Sequence, residues 1–311
     1  MKNRFLYIFL IIGFAANAQL TNLQSCKMLS PFIYKKGFSI KRTIISISEK
    51  RYPGLVIYQL PDSSKGKDAK PTYFQDSTWK KYGSMGTFCF DEKGNIYLIP
   101  IPWVNVLKSE KKSQNTVYKV DGITGIMSPF IQLANNQKYN PQNAFGLLGL
   151  TYDCNTKCLY VSTVSASDRL NEKGIIYAID TKGKRAVIID SLQGKDALGI
   201  GIAGLNSNKI LFIGDARNSN IFSNKIDSIG KFLNKKLDPI FTLENIGSRG
   251  DDKAKKFDFA NNQINIKAVE FNWNLIAPTE QQQAFYSFKF NLRLNKFELI
   301  DIQSNDELQR Y

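Results

Sequence analysis

From residue 84 onward the chain alternates short apolar runs with polar turns, and the alternation recurs. Phe90-Asp91-Glu92-Lys93-Gly94-Asn95-Ile96-Tyr97-Leu98 reads as an apolar strand end, a turn rich in Asp, Lys, Gly and Asn, and a second apolar strand. The same order returns from Tyr152-Asp153 to Tyr160-Val161, from Leu205 to Ile213 and, more weakly, from Phe259 to Ile266. This is hairpin chemistry, since Asn, Asp and Gly accept the backbone angles of a tight reversal. A further strand follows each hairpin: Val117-Tyr118-Lys119-Val120-Asp121, Ile175-Ile176-Tyr177-Ala178-Ile179-Asp180, Ile221 to Asp227 and Phe285 to Asn291. Val56-Ile57-Tyr58 looks like an earlier copy, so the aromatic of this element falls at 58, 118, 177, 222 and 286. A fourth apolar stretch often closes the unit, as in Ala186 to Asp190 and Pro239 to Leu243.

Units of four short antiparallel strands recurring at this interval predict the blades of a single all-β propeller, in which radial repetition leaves few sheet edges exposed. A sandwich has no such recurrence. No stretch sustains the helical period that parallel-sheet enzymes need. Five units are visible. A sixth is expected from the ends, with Phe38 to Ser48 pairing against Lys296 to Ile302 to close the ring; five blades is the alternative.

The first residues change the domain picture. Lys2 and Arg4, the apolar run Phe5 to Phe14 and Ala16-Asn17-Ala18 have the order of a cleaved secretory signal. The reading is therefore signal peptide 1–18, lead-in 19–37, propeller 38–303 and a polar tail 304–311, with the protein secreted or periplasmic and monomeric. Nothing after residue 18 is apolar enough to span a membrane. With 42 Lys and Arg against 27 Asp and Glu the formal charge is +15. The lysines are scattered apart from short clusters such as Lys253 to Lys256, and an exported protein rarely meets nucleic acid, so no nucleic-acid partner is expected.

Export also allows the four cysteines to pair. Cys154 and Cys158 flank Asn155-Thr156-Lys157 and are expected to face each other across a hairpin, leaving Cys26 and Cys89 by elimination. The sequence has no histidine, which excludes Ser-His-Asp hydrolysis and histidine-ligated metals.

Propellers hold ligands in the loops that lead into their innermost strands, here Tyr82 to Gly86, Asn140 to Gly146, Asp196 to Gly201 and Gly247 to Lys256. Ser248-Arg249-Gly250-Asp251-Asp252 is the most concentrated polar loop, suited to a cation or a polar ligand. Trp79, Trp103 and Trp273 are candidates for a carbohydrate-binding face, Trp273 with a buried position between blades as the favoured reading. The hairpins, the strand ends closing on Asp and the stretch Gly214-Asp215-Ala216-Arg217-Asn218-Ser219-Asn220-Ile221-Phe222 resemble the six-bladed propellers of the gluconolactonase/regucalcin, strictosidine-synthase-like and NHL-repeat superfamily. That resemblance implies a divalent cation, Ca2+, held by oxygens from Asn143, Asp196 and Asp251, with Asp252 beside them. The family's Asn-Gly and Asp-Gly pairs, however, align with Leu148-Gly149 and Ile200-Gly201. The expected ligand-binding set is Asn143, Asp196, Arg249, Asp251 and Asp252, converging on one mouth of the channel. The expected function is a module of the cell envelope or secreted fraction that binds a small molecule, a carbohydrate or an envelope protein. The alternative is a calcium-dependent lactonase or esterase-type hydrolase.

Overall fold

The computed structural model describes residues 20–304 apart from 25, 27, 48–50, 63–69, 103–112, 134–142, 191, 193, 206–207, 235, 277–280 and 292. The expected signal at 1–18 and the tail beyond 304 lie outside the described residues. A short strand β1 (Leu20–Asn22) precedes five antiparallel sheets. The first holds β2 (Thr43–Ser46), β3 (Val56–Gln59) and β4 (Thr72–Phe74), and the second β5 (Met85–Phe90), β6 (Ile96–Pro100), β7 (Thr116–Val120) and β8 (Met127–Gln132). The third is β9 (Leu147–Asp153), β10 (Cys158–Thr163), β11 (Ile175–Asp180) and β12 (Arg185–Asp190), and the fourth β13 (Ala197–Leu205), β14 (Asn208–Asp215), β15 (Asn220–Ile226) and β16 (Pro239–Thr242). The fifth is β17 (Lys253–Ala260), β18 (Gln263–Val269), β19 (Gln283–Asn291) and β20 (Lys296–Ser304). Two helices are described, α1 (Pro31–Lys35) and α2 (Ser77–Lys80), each about one turn.

Each sheet is a blade with its strands in chain order, so the ring has five blades rather than six. The terminal segments do not share a sheet: β2 pairs with β3, and β20 pairs with β19. Each has a partner close in sequence, and closing a short loop costs less chain entropy than bringing the ends of the chain together. Among the described residues no strand is then left over for a sixth blade.

The repeated Asp and Asn residues are turn caps. Asp91 Oδ1 accepts from the backbone N–H of Lys93 and Asn95, both at 2.9 Å. Asp121, Asp180, Asp227 and Asn291 accept in the same way from the residues two to four positions on. The repeat visible in the sequence is thus the chemistry of the reversals.

The core is not at the centre of the ring but between the blades. Four apolar clusters separate successive blades, one around Trp79, Ile57 and Leu98, one around Tyr97, Tyr152 and Val161, one around Tyr160, Ile202 and Leu211, and one around Phe212, Phe257 and Tyr286. β9 and β13 have neighbours on both faces and are nearly continuous in burial. β18 and β19 alternate, because Ile264, Ile266, Tyr286 and Phe288 meet the fourth blade while the intervening residues turn the other way.

The inner strands approach closely at glycines. A Cβ on Gly199 of β13 would lie 2.5 Å from the Lys255 carbonyl oxygen and 2.6 Å from that of Ala254, both backbone atoms of β17. Gly199→Ala is expected to destabilise by roughly 2–3 kcal/mol, an overpacking cost. Urea denaturation measures it; a loss below about 0.5 kcal/mol would mean that β13 and β17 part freely.

The N-terminal segment supplies an element not expected from the repeat. β1 adds to the inner edge of the fourth blade, with Leu20 opposite Leu205 and Asn22 opposite Ala203. Gln24 then ties three blades together: its Oε1 accepts from Thr151 Oγ1 at 2.8 Å and Ile202 N–H at 3.1 Å, and its Nε2 donates to the Phe257 carbonyl at 2.5 Å. Since β13 ends at Leu205, this segment occupies the half of the channel where the inner strands finish, here the lower half.

A disulfide fastens it. Cys26 is bonded to Cys154, and Cys89 and Cys158 are free thiols. The expected Cys154–Cys158 bond is corrected by the strand register: Cys158 lies opposite Asp153, and Cys154 has already turned out of β9. Cys154 packs with Cys26 and Cys89 against the cluster between the second and third blades, whereas Cys158 packs against the cluster on the other face.

Candidate functional site: the upper mouth of the channel

The upper face is the end where β5, β9, β13 and β17 begin. Asn143 precedes β9 and is buried. Its Nδ2 donates to the carbonyls of Val164 at 2.7 Å and Ser167 at 3.0 Å, while its Oδ1 accepts from Phe145 N–H at 2.8 Å. Asp196 precedes β13 and accepts from Ser167 Oγ at 2.5 Å, Lys173 N–H at 3.2 Å and Arg217 Nη2 at 3.1 Å. Burial raises the Asp196 carboxyl pKa against the opposing pull of Ser167 and Arg217. Arg217 also donates to the carbonyls of Arg169, Asn171 and Asp168, and its guanidinium lies 4.9 Å from the centre of the Trp273 ring. One arginine thereby joins the third, fourth and fifth blades at the mouth.

The loop before β17 forms a second group. Arg249 Nε donates to Asp252 Oδ1 at 2.6 Å, and Tyr286 OH donates to Asp252 Oδ2 at 2.5 Å. Asp251 turns outward with 64% of its side chain exposed, and its closest cation is Lys253 Nζ at 3.9 Å. Ser167 links Asn143 to Asp196; Arg249 and Asp252 contact each other and Tyr286.

This donor set does not fit calcium, which takes six to eight oxygens and favours free carboxylates. The Asn143 oxygen is committed to a backbone N–H and its nitrogen to two carbonyls, Asp196 faces a guanidinium, and Asp251 stands apart from both. Among the described residues no three Asp, Glu, Cys or His side chains form a metal-holding group.

The tryptophans have separate roles. Trp79 is wholly buried in α2 and donates to the Gly125 carbonyl at 2.8 Å. Trp103 is outside the described residues. Trp273, expected between blades, instead sits on a bend after β18 with a left-handed φ of +65° and lines a hollow of about 710 Å³ with Phe145, Arg169, Asn274 and Leu275.

Below Trp273 the mouth narrows into an apolar passage. Its walls include Phe145, Leu147, Leu198, Phe271 and Leu275, with Glu270, Asn272, Gln281 and Lys255 as polar points. Lys255 Nζ donates to Gln281 Oε1 at 2.8 Å, and Gln281 Nε2 donates to the Glu270 carbonyl at 3.2 Å. Arg217 and Lys255 were missed in the sequence, although a signal was present for each. Arg217 stood inside a motif read as a mark of the fold, and Lys255-Lys256 interrupts a strand whose place at the centre of the ring makes charge costly.

No known family profile and no curated protein matches the chain by sequence. Solved structures do match in fold. A structure of a nidogen/laminin complex aligns with TM-score 0.51 at 11% identity, covering 85% of this chain and 76% of the other. An exo-β-1,3-galactanase from Phanerochaete chrysosporium, solved with β-1,3-galactotriose, aligns with TM-score 0.52 at 9% identity, covering 86% of this chain and 62% of its own. This chain thus spans less than two thirds of the galactanase. At such identities the likeness is one of fold, and with the five sheets described above it makes the chain an all-β protein built as a single five-bladed β-propeller.

Proposed function

We propose that this protein is an exported binding module that takes its ligand at the upper mouth of the propeller channel. The observation that carries this reading is the channel's asymmetry. Its lower half is narrowed by the N-terminal segment under the Cys26–Cys154 bond to a space of about 190 Å³, whereas its upper end opens as a hollow of about 710 Å³ that leads down to a narrow apolar passage with few polar groups. A concave apolar site with a few oriented polar atoms is the usual form of a ligand pocket. Two of the carboxylates around the mouth, Asp196 and Asp252, are each held by an arginine and so serve as supports for a binding surface. A propeller solved in a laminin complex and another solved with an oligosaccharide are examples of this fold beside a protein and beside a sugar.

A thermal-shift screen of small molecules and glycans tests the reading, repeated on two variants. Leu275→Trp fills the mouth, since Leu275 lines both of its hollows. Leu299→Trp adds the same bulk at an exposed site on β20. Ligands that stabilise the parent protein are expected to lose their effect in the first variant and keep it in the second. Equal retention in both would place the binding surface elsewhere. Bound-metal analysis of the same protein checks the calcium-dependent alternative.

A further inference from the structure

The seam between the fifth and first blades differs from the other four. Among the described residues it has no apolar cluster of its own. The face of the fifth blade turned away from the fourth presents Asn265, Lys267, Gln283 and Ser287 from β18 and β19, with Phe285 opposite Lys267 as an apolar member. A chamber of about 240 Å³ opens there, bounded by Ile45, Met85, Thr87 and Phe88 on one side and by Lys255, Lys256 and Lys267 on the other. It meets the apolar passage at Gly86, Ile101 and Lys255, which line both.

Three lysines thus line one chamber, and among the described residues no carboxylate lines it with them. Among the described residues, Asp258 lines the adjoining lower space with Lys256, and Glu270 lines the mouth and accepts from Asn272. Neither forms an ion pair with these lysines. Lys255 has a neutral partner, Gln281, and Lys256 lies over the Phe88 ring at 5.0 Å. Burial and the charge of Lys267 bring Lys255 down to about 8, and burial and the charge of Lys256 do the same to Lys267, while Lys256 itself is open to solvent. Uncompensated like charge inside a fold costs stability, and a site kept at such a cost is commonly one that a ligand completes.

Building on the mouth reading above, we infer that Lys255, Lys256 and Lys267 receive the head group of an amphipathic organic anion whose apolar body lies in the passage lined by Phe145, Leu147, Leu198 and Phe271. The head is a carboxylate or a phosphate ester, since three point-charge donors serve either. The body is apolar because the passage is walled mainly by aliphatic and aromatic side chains.

The experiment is calorimetric titration of the full protein with octanoate, octyl phosphate, 1-octanol, acetate and inorganic phosphate. At least one octyl anion is expected to bind ten-fold or more tighter than octanol and than its own head group alone. Lys255→Met and Lys267→Met are expected to remove that preference, and Lys255→Arg to keep it. Both methionine variants are expected to melt no lower than the parent, because each relieves buried repulsion. A drop in melting temperature in both would make the lysines structural and overturn the inference. So would octanol binding as tightly as the anions, or anion binding unchanged in both methionine variants. If octanol binds, is blocked by Leu275→Trp and the anions show no advantage, the mouth stands as a binding site and only the lysine assignment falls. If none of the octyl compounds binds, both fall.

Discussion

Exchange of Cys26 for serine is expected to lower the unfolding free energy by roughly 4 kcal/mol, because chain-entropy arguments give about 4.7 kcal/mol for a bond that closes a 100-residue loop. The Cys26–Cys154 bond spans a sequence separation of 128. Its loss also frees the segment whose Gln24 bridges Thr151, Ile202 and Phe257, so the three inner strands lose a shared hydrogen-bond partner along with the covalent link. Urea denaturation of the oxidised parent, the Cys26→Ser variant and a Cys158→Ser control measures the effect. The control removes a free thiol and is expected to change stability by less than about 1 kcal/mol. A similarly small loss in Cys26→Ser would show that the N-terminal segment is held by its hydrogen bonds alone.

The second large effect is expected at Asp196. Replacing it by alanine leaves Arg217, only 16% exposed along its side chain, with Glu172 at 3.7 Å as its remaining carboxylate, and leaves the Ser167 hydroxyl without its acceptor. Breaking one side of a buried pair costs about 3–5 kcal/mol. The double variant Asp196→Ala/Arg217→Met is expected to recover a substantial part of that loss, since the burial that raises the Asp196 carboxyl also limits what the intact pair contributes. A double-mutant cycle in urea measures the coupling. Additive losses would mean that Arg217 is held at the mouth by the backbone carbonyls of Arg169 and Asn171 and the Trp273 ring rather than by Asp196.

The candidate site was legible only in part. Asp196 and Asp252 were singled out as ligand donors because they precede inner strands, and they do precede them. Each nonetheless faces an arginine, Arg217 from 21 residues away and Arg249 from three. An acid near an inner strand reads the same in sequence whether it awaits a ligand or anchors a guanidinium. Trp273 was read by strand alternation, which fails once the chain leaves β18 for a bend. Lys255 and Lys256 stand out in the sequence only as part of the short cluster Lys253 to Lys256, and their break in an inner strand gains meaning only once that strand is known to line the channel.

What the sequence determined by itself was the repeating unit: hairpins closed by Asp and Asn caps, a third strand ending in a further cap, and hence blades rather than a sandwich or a parallel sheet. Those are local preferences of turn residues and of period-two burial, and they act within a few positions of each other. The blade count, the course of residues 20–24 along the inner strands, the pairing of Cys26 with Cys154 and the gathering of Lys255, Lys256 and Lys267 at one seam were decided by the tertiary structure. Each depends on which distant segments meet when the ring closes. That is set by competition among many interblade contacts of similar chemistry, and no single stretch of the chain encodes its outcome.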